Sequence, residues 1–486
     1  MGKNKIHLTK LGEIIDNACL QKNIDKLIEI TNDAKKCNPS SLEKSKQLLY
    51  YYYISVAWCG IKESNISLNN IPFHSKEIDN ELYYLRKAEQ LIDITTPSHI
   101  AAPILVNLAN SYDHIGRNIE AFALWKRALI YYPSFGMALC NIGKGIDYYS
   151  NYADIKIRPL FLNASIYYLS KALKSETIYN DLIPNIKEII KKINSLAIEK
   201  VKPLEKFIPQ NNLKDEYKKW VLSNCLYLNQ LNDIYEESSS SLYDTYYLPG
   251  IFVKKDEYGK ENLYFSIFNQ IKQEYVSARY LLYQSLNTWG KHFSDHGNKL
   301  VDTLKYHEMS YNIELAKNAF RSLYSIFDKI SYFLNCYLNL GIQPAQVKFR
   351  TFWFVKNQLN PLILNNKNWA LRGLFYLRKD FYYENEEYIN APDAKRMAEI
   401  RNFMEHKSFM LCDGNEDYYI IENDNFTLTM SRCLFEKKAM YLISLVRAAI
   451  FYLGNIVTCE EHYRIGNMEN GIVKTIHLND YQDYDS

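Results

Sequence analysis

The sequence predicts an all-α protein, with N-terminal helical repeats followed by a C-terminal bundle of four or five helices, and three observations carry that expectation. Glycine (17) and proline (13) are scarce among 486 residues, too few for the many turns of a β-sandwich or barrel of this size. Apolar residues recur at helical spacing through several long stretches. Hydrophobic residues make up 47% of the chain and charged ones 23%, enough to bury a sizeable core and to exclude disorder. The expected organisation is a repeat region at 1–200, a connector at 201–260, the bundle at 261–459 and an acidic tail at 460–486.

Charge and cysteine usage narrow the class. Net charge is +3, and residues 1–200 carry 25 basic and 20 acidic side chains against 2 and 6 in the tail. That is not a polybasic nucleic-acid binder, so any RNA contact has to be a local patch. The nine cysteines are odd in number and form no CxxC, which fits a reduced cytoplasm and argues against a disulfide framework or zinc ribbon. No apolar run approaches the roughly 18–20 residues of a membrane span, and the N-terminus lacks an apolar signal core. A cytoplasmic protein with no membrane partner is expected. No Walker loop, GxGxxG, HExxH or GxSxG occurs, so no cofactor is expected.

In the first region the window from Ala102 to Pro133 is the most informative. Leu105, Leu108, Ala109 and Tyr112 share one helical face. Gly116 breaks the helix, a second face follows at Ala121, Trp125 and Ala128, and Pro133 ends it. Small residues let two helix backbones approach while Tyr112 and Trp125 fill the gaps. This pattern resembles a tetratricopeptide repeat. A second copy from Gly136 keeps Leu139, Ile142 and Gly143, then needs an insertion before Ser165, Leu169 and Ala172. An earlier pair, Leu48–Cys59 and Glu81–Asp93, fits loosely, and a helix over 184–199 would cap the stack. Such a stack either presents a concave surface to a peptide or protein partner or serves as a scaffold packed on the rest of the chain.

Residues 201–260 change character. Pro203, Pro209, Asn211 and Asn212 mark a break, a short helix follows in KDEYKKWVLSNCLYLNQ, and EESSSSLYDTYYLPG reads as an ordered loop or boundary. Helices are then expected at about 262–288, 308–340, 391–411 and 431–454, with a shorter one near Trp369–Asp380. The string ENLYFS at 261–266 continues the first of them.

The third of these helices carries the sharpest signal. It opens at Pro392, and Met397, Ile400, Met404 and Leu411 are placed toward the core. Arg401, Asn402 and His406 form R-N-x-x-x-H, the one arginine–polar–histidine arrangement of this spacing in the chain. Here the sequence resembles the HEPN superfamily, over roughly 261–455, with flanking blocks EYVSARYLLYQ, FRSLYSIFDKISYFLNCY and NWALRGLFYLRKDF. The resemblance implies a metal-independent endoribonuclease used in antiphage defence or as a growth-arrest toxin, acting on RNA as a homodimer. It places His406 as general acid/base, Arg401 as phosphate clamp and Asn402 as the orienting or phosphate-binding group. Many relatives carry a tyrosine two residues after the histidine, a site modified in some toxin–antitoxin pairs. Ser408 stands there instead, which puts control by tyrosine modification in doubt.

The chemistry asks for these residue types. Histidine titrates near neutrality and serves as acid or base. A guanidinium holds two oxygens of the charged phosphorane-like transition state. Asn402 lies one turn before His406, on the same face. Arg401 and His406 are about 140° apart on an ideal helix, so one copy does not aim both at one point. The family's pairing of two motif helices across a shared cleft would resolve this. The bland alternative is a solvated histidine beside an ordinary Arg401–Glu405 ion pair, in a chain that is a non-catalytic scaffold or nucleotide-binding adaptor.

Other candidates are secondary. Glu405, Glu274, Arg279 and Asp328 are polar residues that would support the cleft or simply pair with one another. His292, Asp295 and His296, with His307 or Glu308, have partial metal-ligand spacing, but a polar loop is the better account of them and no metal is expected. Lys348, Arg350, Phe352, Trp353 and Lys356 interleave basic and aromatic side chains, as an RNA-stacking stretch or an amphipathic element with core aromatics would.

Overall fold

A computed structural model of the protein describes residues 8–67, 71–196, 215–235, 241–253, 259–288, 290–301, 307–382, 394–412, 422–423, 425–466 and 472–473. The N-terminal region is a run of antiparallel helix pairs. α1 (Leu8–Leu20) and α2 (Ile24–Ala34) form a hairpin, with the Asn23 side chain accepting from the Lys26 N–H to start α2. It packs on α3 (Lys44–Asn65) through Ile15, Leu27, Ile54 and Ile61. Then follow α4 (Lys76–Glu89), α5 (Ser98–His114), α6 (Asn118–Tyr131), α7 (Gly136–Tyr149), α8 (Arg158–Ala172) and α9 (Ile183–Ser195).

The repeat pattern is seen as hairpins α3–α4, α5–α6 and α7–α8, each stacked on the next. Ala109, Ala121 and Ala128 are fully buried between α5 and α6, and Gly116 makes their turn at φ +91°. α7 and α8 approach so closely that a Cβ at Gly143 would overlap the Leu169 side chain, and Ser165 Oγ donates to the Gly143 carbonyl at 2.8 Å. The insertion is a 3-10 turn, Ser150–Tyr152, and the loop after it. α9 closes the stack through Ile186 against Leu139 and Leu169.

In the connector, α10 (Glu216–Ser223) is capped by Asp215, and a 3-10 turn follows at Gln230–Asp233. Pro203, Pro209, Asn211, Asn212 and the serines at 238–240 lie outside the described residues. The chain then enters β1 (Phe252–Val253) and α11 (Lys260–Asn287). Next come β2 (His307–Glu308), α12 (Tyr311–Tyr337), the hairpin β3 (Phe354–Val355) and β4 (Gln358–Leu359), α13 (Pro361–Leu364) and α14 (Trp369–Arg378). α15 (Ala394–His406), β5 (Ser408–Cys412), β6 (Glu422–Asn423), β7 (Thr427–Ser431), α16 (Arg432–Gly466) and β8 (Ile472–Val473) complete the chain. α11, α12, α14 and α16 pack together as the bundle.

The structure corrects several expectations. The motif helix stops at His406 rather than at 411, and Ser408–Cys412 is a strand. It pairs parallel with β7, in a small sheet of order β2-β5-β7-β6. Phe409 and Leu411 are buried from one face of that strand, so period-two burial replaces the helical reading of Leu411. β2 takes Glu308 out of the second helix, which starts behind the Ser310 cap. Pro392 lies outside the described residues.

α16 runs to Gly466, well past 454. Contrary to the sequence expectation, Arg432–Ile465 is long and apolar enough to cross a membrane, with a mean hydropathy of 1.7 over its most apolar window, yet 83% of that window is buried in the protein. It is apolar all round because helices surround it. Glu460 and Glu461, expected to begin the acidic tail, belong to this helix. Glu461 is buried and accepts from Tyr337 Oη at 2.5 Å and the Phe252 N–H at 2.7 Å. Of the remaining tail, 467–471 and 474–486 lie outside the described residues.

One apolar core runs from Leu48 to Val457, so the repeats pack on the bundle. α14 lies against the α5–α6 turn, where a Cβ on Gly116 or Gly373 would overlap the facing backbone. Arg372 donates to the carbonyls of Ile71, His114 and Ile115. Just past α14, the fully buried Asp380 takes Arg86 Nη1 at 2.5 Å, Arg117 Nη2 at 2.7 Å and Tyr441 Oη at 3.0 Å. Burial opposes its charge, and the two guanidiniums hold its carboxyl below the usual range. Asp380→Ala would leave the buried Arg86 guanidinium without its carboxylate and Arg117 with Glu120 alone, and should cost about 3–5 kcal/mol, read as a lower denaturant midpoint.

Nearby, burial pushes Asp113 up to about 6, against the opposing hydrogen bond from Tyr149. Burial also pushes His114 down to about 4, with Lys62 and Arg372 adding to the effect. Between pH 4 and 6 the folded Asp113 keeps a proton that the unfolded one releases, so its contribution falls as pH rises. His114 works in the opposite sense, because the unfolded imidazole binds a proton that the folded one refuses. Asp113→Asn should therefore raise stability at pH 7 by about 2 kcal/mol and unmask a stability that climbs from pH 4 to 6.5, measured by urea unfolding across that range.

Candidate functional site

α15 is amphipathic. Met397, Ile400, Phe403 and Met404 are buried, which leaves Arg401, Asn402, Glu405 and His406 on its outer faces. Arg401 is half-buried, with its guanidinium 5.6 Å from the centre of the Tyr324 ring on α12, a cation–π contact. Tyr324 packs edge-on to Tyr382, with ring centres 6.3 Å apart. Burial pushes both phenols up, and the Arg401 charge works in the opposite direction on each.

Asn402 and His406 are exposed. His406 is the last helical residue. The Lys407 N–H closes the turn on the Phe403 carbonyl at 3.0 Å, and the Ser408 N–H bonds the Phe426 carbonyl at 3.0 Å, leading the chain into β5. Arg321 of α12 donates to the Met404 carbonyl at 3.0 Å, satisfying one of the orphan acceptors at the helix end. It also lies 3.8 Å from Glu405. Glu405 therefore pairs with Arg321, not with Arg401 as the i,i+4 spacing suggested. Among the described residues no hydrogen bond or ion pair links Arg401 to His406. One faces α12 and the other faces solvent, as the helical offset requires.

The other candidates distribute as follows. Asp328, one further turn along α12, accepts from the Phe349 N–H at 2.8 Å. Its charge acts on Tyr324 and Tyr382 in the sense opposite to Arg401's. Glu274 pairs with Lys329 at 2.6 Å. Arg279 is buried against the connector, bidentate to Asp244 at 2.8 Å and bonded to the Leu226 carbonyl and Tyr217. His292 stacks on Tyr311, whose N–H bonds Asp295, while His307 and Glu308 sit in β2. Among the described residues no group of three such side chains is placed to hold a metal. Phe352 and Trp353 are core residues, so the basic–aromatic stretch offers no stacking face through them.

Arg321, Tyr324 and Tyr382 were missed in the sequence. Arg321, Tyr324 and Asp328 follow i, i+3, i+7 spacing, a stripe hidden beside the dominant apolar face of α12.

Residues 256–460 match the sequence model of the LA2681-like HEPN family. This part of the chain, from α11 through most of α16, is a HEPN domain, and HEPN domains are generally ribonucleases. No curated protein and no solved structure matches the chain.

Arg321→Ala should cost about 1 kcal/mol through the lost carbonyl bond and half-exposed pair. Amide exchange at Phe403–Lys407 should quicken while exchange in α16 stays unchanged, as read by hydrogen–deuterium exchange.

Proposed function

We propose that the protein is a metal-independent endoribonuclease, active as a homodimer, that serves antiphage defence or growth arrest. The observation that carries this reading is the exposed Asn402–His406 pair at the end of a helix whose Arg401 is held on Tyr324, inside a HEPN domain. In a two-fold arrangement of α15 copies, one imidazole takes the proton of the ribose 2′-hydroxyl. The 2′-oxygen forms a bond to phosphorus, and the bond from phosphorus to the 5′-oxygen breaks. The His406 of the partner subunit then protonates the leaving oxygen, giving 2′,3′-cyclic phosphate and 5′-hydroxyl ends. Arg401 neutralises the non-bridging oxygens as charge develops there. Asn402 orients the phosphate or the imidazole. The repeat region, docked through Asp380, is the part suited to receive a protein or peptide trigger.

The test is incubation of the full chain with total RNA and with tRNA in EDTA. Wild type should cleave. His406→Ala should lose at least about 100-fold in rate, with stability within about 0.5 kcal/mol because the side chain is exposed. Arg401→Lys keeps the charge but not the fork, and should lose about 10–100-fold. Undiminished cleavage by His406→Ala, or cleavage that EDTA abolishes, would sink the mechanism.

A further inference from the structure

A cavity of about 440 Å³ opens on the repeat region, where α14 of the HEPN domain meets α5 and α7. Asn110, Asn141, Lys144 and Arg372 line it, with Tyr148 and Trp369 among its apolar walls. Arg372 has five N–H donors. Three are spent on the carbonyls of Ile71, His114 and Ile115, which fixes the guanidinium at the seam. The other two are unspent among the described residues. Arg86, Arg117, Arg279 and Arg447 are each bonded to a carboxylate. Arg372 is not. Burial holds it below the ordinary arginine value, and the groups opposing that shift are the phenols of Tyr376, Tyr149 and Tyr148. Lys144 on α7 is half-buried, and it too has no carboxylate within ion-pair distance among the described residues. Asp113, the acid in the lining, accepts from the Tyr149 hydroxyl at 2.8 Å instead. His114 is pushed down to about 4 by burial, so it lines the cavity uncharged near neutrality. A guanidinium and an ammonium that no carboxylate answers, both partly withdrawn from water at one cavity, mark a site for an anion.

The asparagines say which anion. Asn110 Oδ1 accepts from Trp125 Nε1 at 3.0 Å and from Asn141 Nδ2 at 2.7 Å. The indole nitrogen can only donate, which fixes the orientation of the Asn110 amide. Both lone pairs of its oxygen are used, and its own N–H donors are not. Asn141 is left with Oδ1 as an unused acceptor. Side by side, the two amides offer one donor and one acceptor, the complement of a peptide unit's C=O and N–H. A phosphodiester brings acceptors only and would leave Asn141 Oδ1 without a partner. At the rim Tyr148 is half exposed and packs edge-on to Tyr149, with ring centres 5.0 Å apart.

We propose that this cavity takes an aspartate or glutamate side chain from an extended segment of a partner protein. The carboxylate lies between Arg372 and Lys144, and the adjoining peptide unit lies on Asn110 and Asn141. This deepens the trigger-receiving role proposed for the repeat region and rests on it, not on the cleavage chemistry. Arg372 comes from the HEPN domain and the other three contacts from the repeats, so the site is whole only while the two are docked. A ligand that binds the docked form alone stabilises that form.

The test is retention of the full chain on two pools of short peptides tethered through their C-termini. One position is glutamate in the first pool and glutamine in the second, and all others are uncharged mixtures. Further spots carry residues 474–486 of the chain and a 2′-O-methylated RNA. Wild type should be retained about tenfold more by the glutamate pool. Lys144→Glu should lose that preference, while Lys299→Glu, on the exposed loop before β2, keeps it. Asn141→Ala should weaken retention by both pools about fivefold and leave the preference, because it removes the contact to the peptide unit and not the charge. Equal retention of wild type by the two pools, or an undiminished preference in Lys144→Glu, would overturn the assignment. So would stronger Lys144-dependent retention on the 474–486 spot, which would make the chain's own tail the occupant, or on the RNA, which would mark a phosphate site. A glutamate preference in a preparation that cleaves no RNA keeps this site and removes the nuclease reading, and cleavage without the preference does the reverse.

Discussion

The structure depends on one buried carboxylate. Asp380 is inaccessible to water and holds Arg86 of α4, Arg117 before α6 and Tyr441 of α16 together. Removing two guanidiniums and a carboxylate from water is costly, and their mutual attraction repays it only in good geometry. That constraint sets the register of the repeats on the bundle. The same seam requires glycine at 116 and 373, because the two backbones touch where side chains would stand. Arg372 then satisfies three carbonyls that the close approach would otherwise strand. Displacing the repeat region as a rigid unit would expose several of these groups at once.

The seam and the candidate site are consecutive in the chain. Lys379, Asp380 and Tyr382 lie close together after α14, and they serve the buried pair with Asp79, the buried triad and the wall beside Arg401 respectively. A shift of the repeats that disturbs Asp380 would therefore be felt two residues away at the ring packed on Tyr324. This continuity gives the proposed trigger-sensing role a physical route.

Much of the fold was legible because helices announce themselves locally. The α5–α6 hairpin followed from small residues at helical spacing and a glycine turn, and α11, α12 and α14 fell close to their expected ranges. β5 was not legible. Ser408–Cys412 is too short to show a clear alternation, and its partner β7 lies beyond residues that separate the two strands in sequence. Extending the motif helix to Leu411 was the natural reading without that partner. Arg279 shows the same limit. Its charge in an apolar helix suggested the cleft, but its partner Asp244 comes from the connector, 35 positions away.

What the sequence by itself determined is the helical class, the repeat hairpins and the R-N-x-x-x-H spacing, since each is a property of residues within one or two helical turns. It also determined that Arg401 and His406 diverge on one helix, because helical pitch is the same in any context. Only the tertiary structure decided which groups meet: Arg401 on Tyr324, Glu405 with Arg321, Asp380 between two arginines and Lys379 with Asp79. Those pairings join elements far apart in the chain. Burial and charge compensation select them, and both exist only once the core has closed.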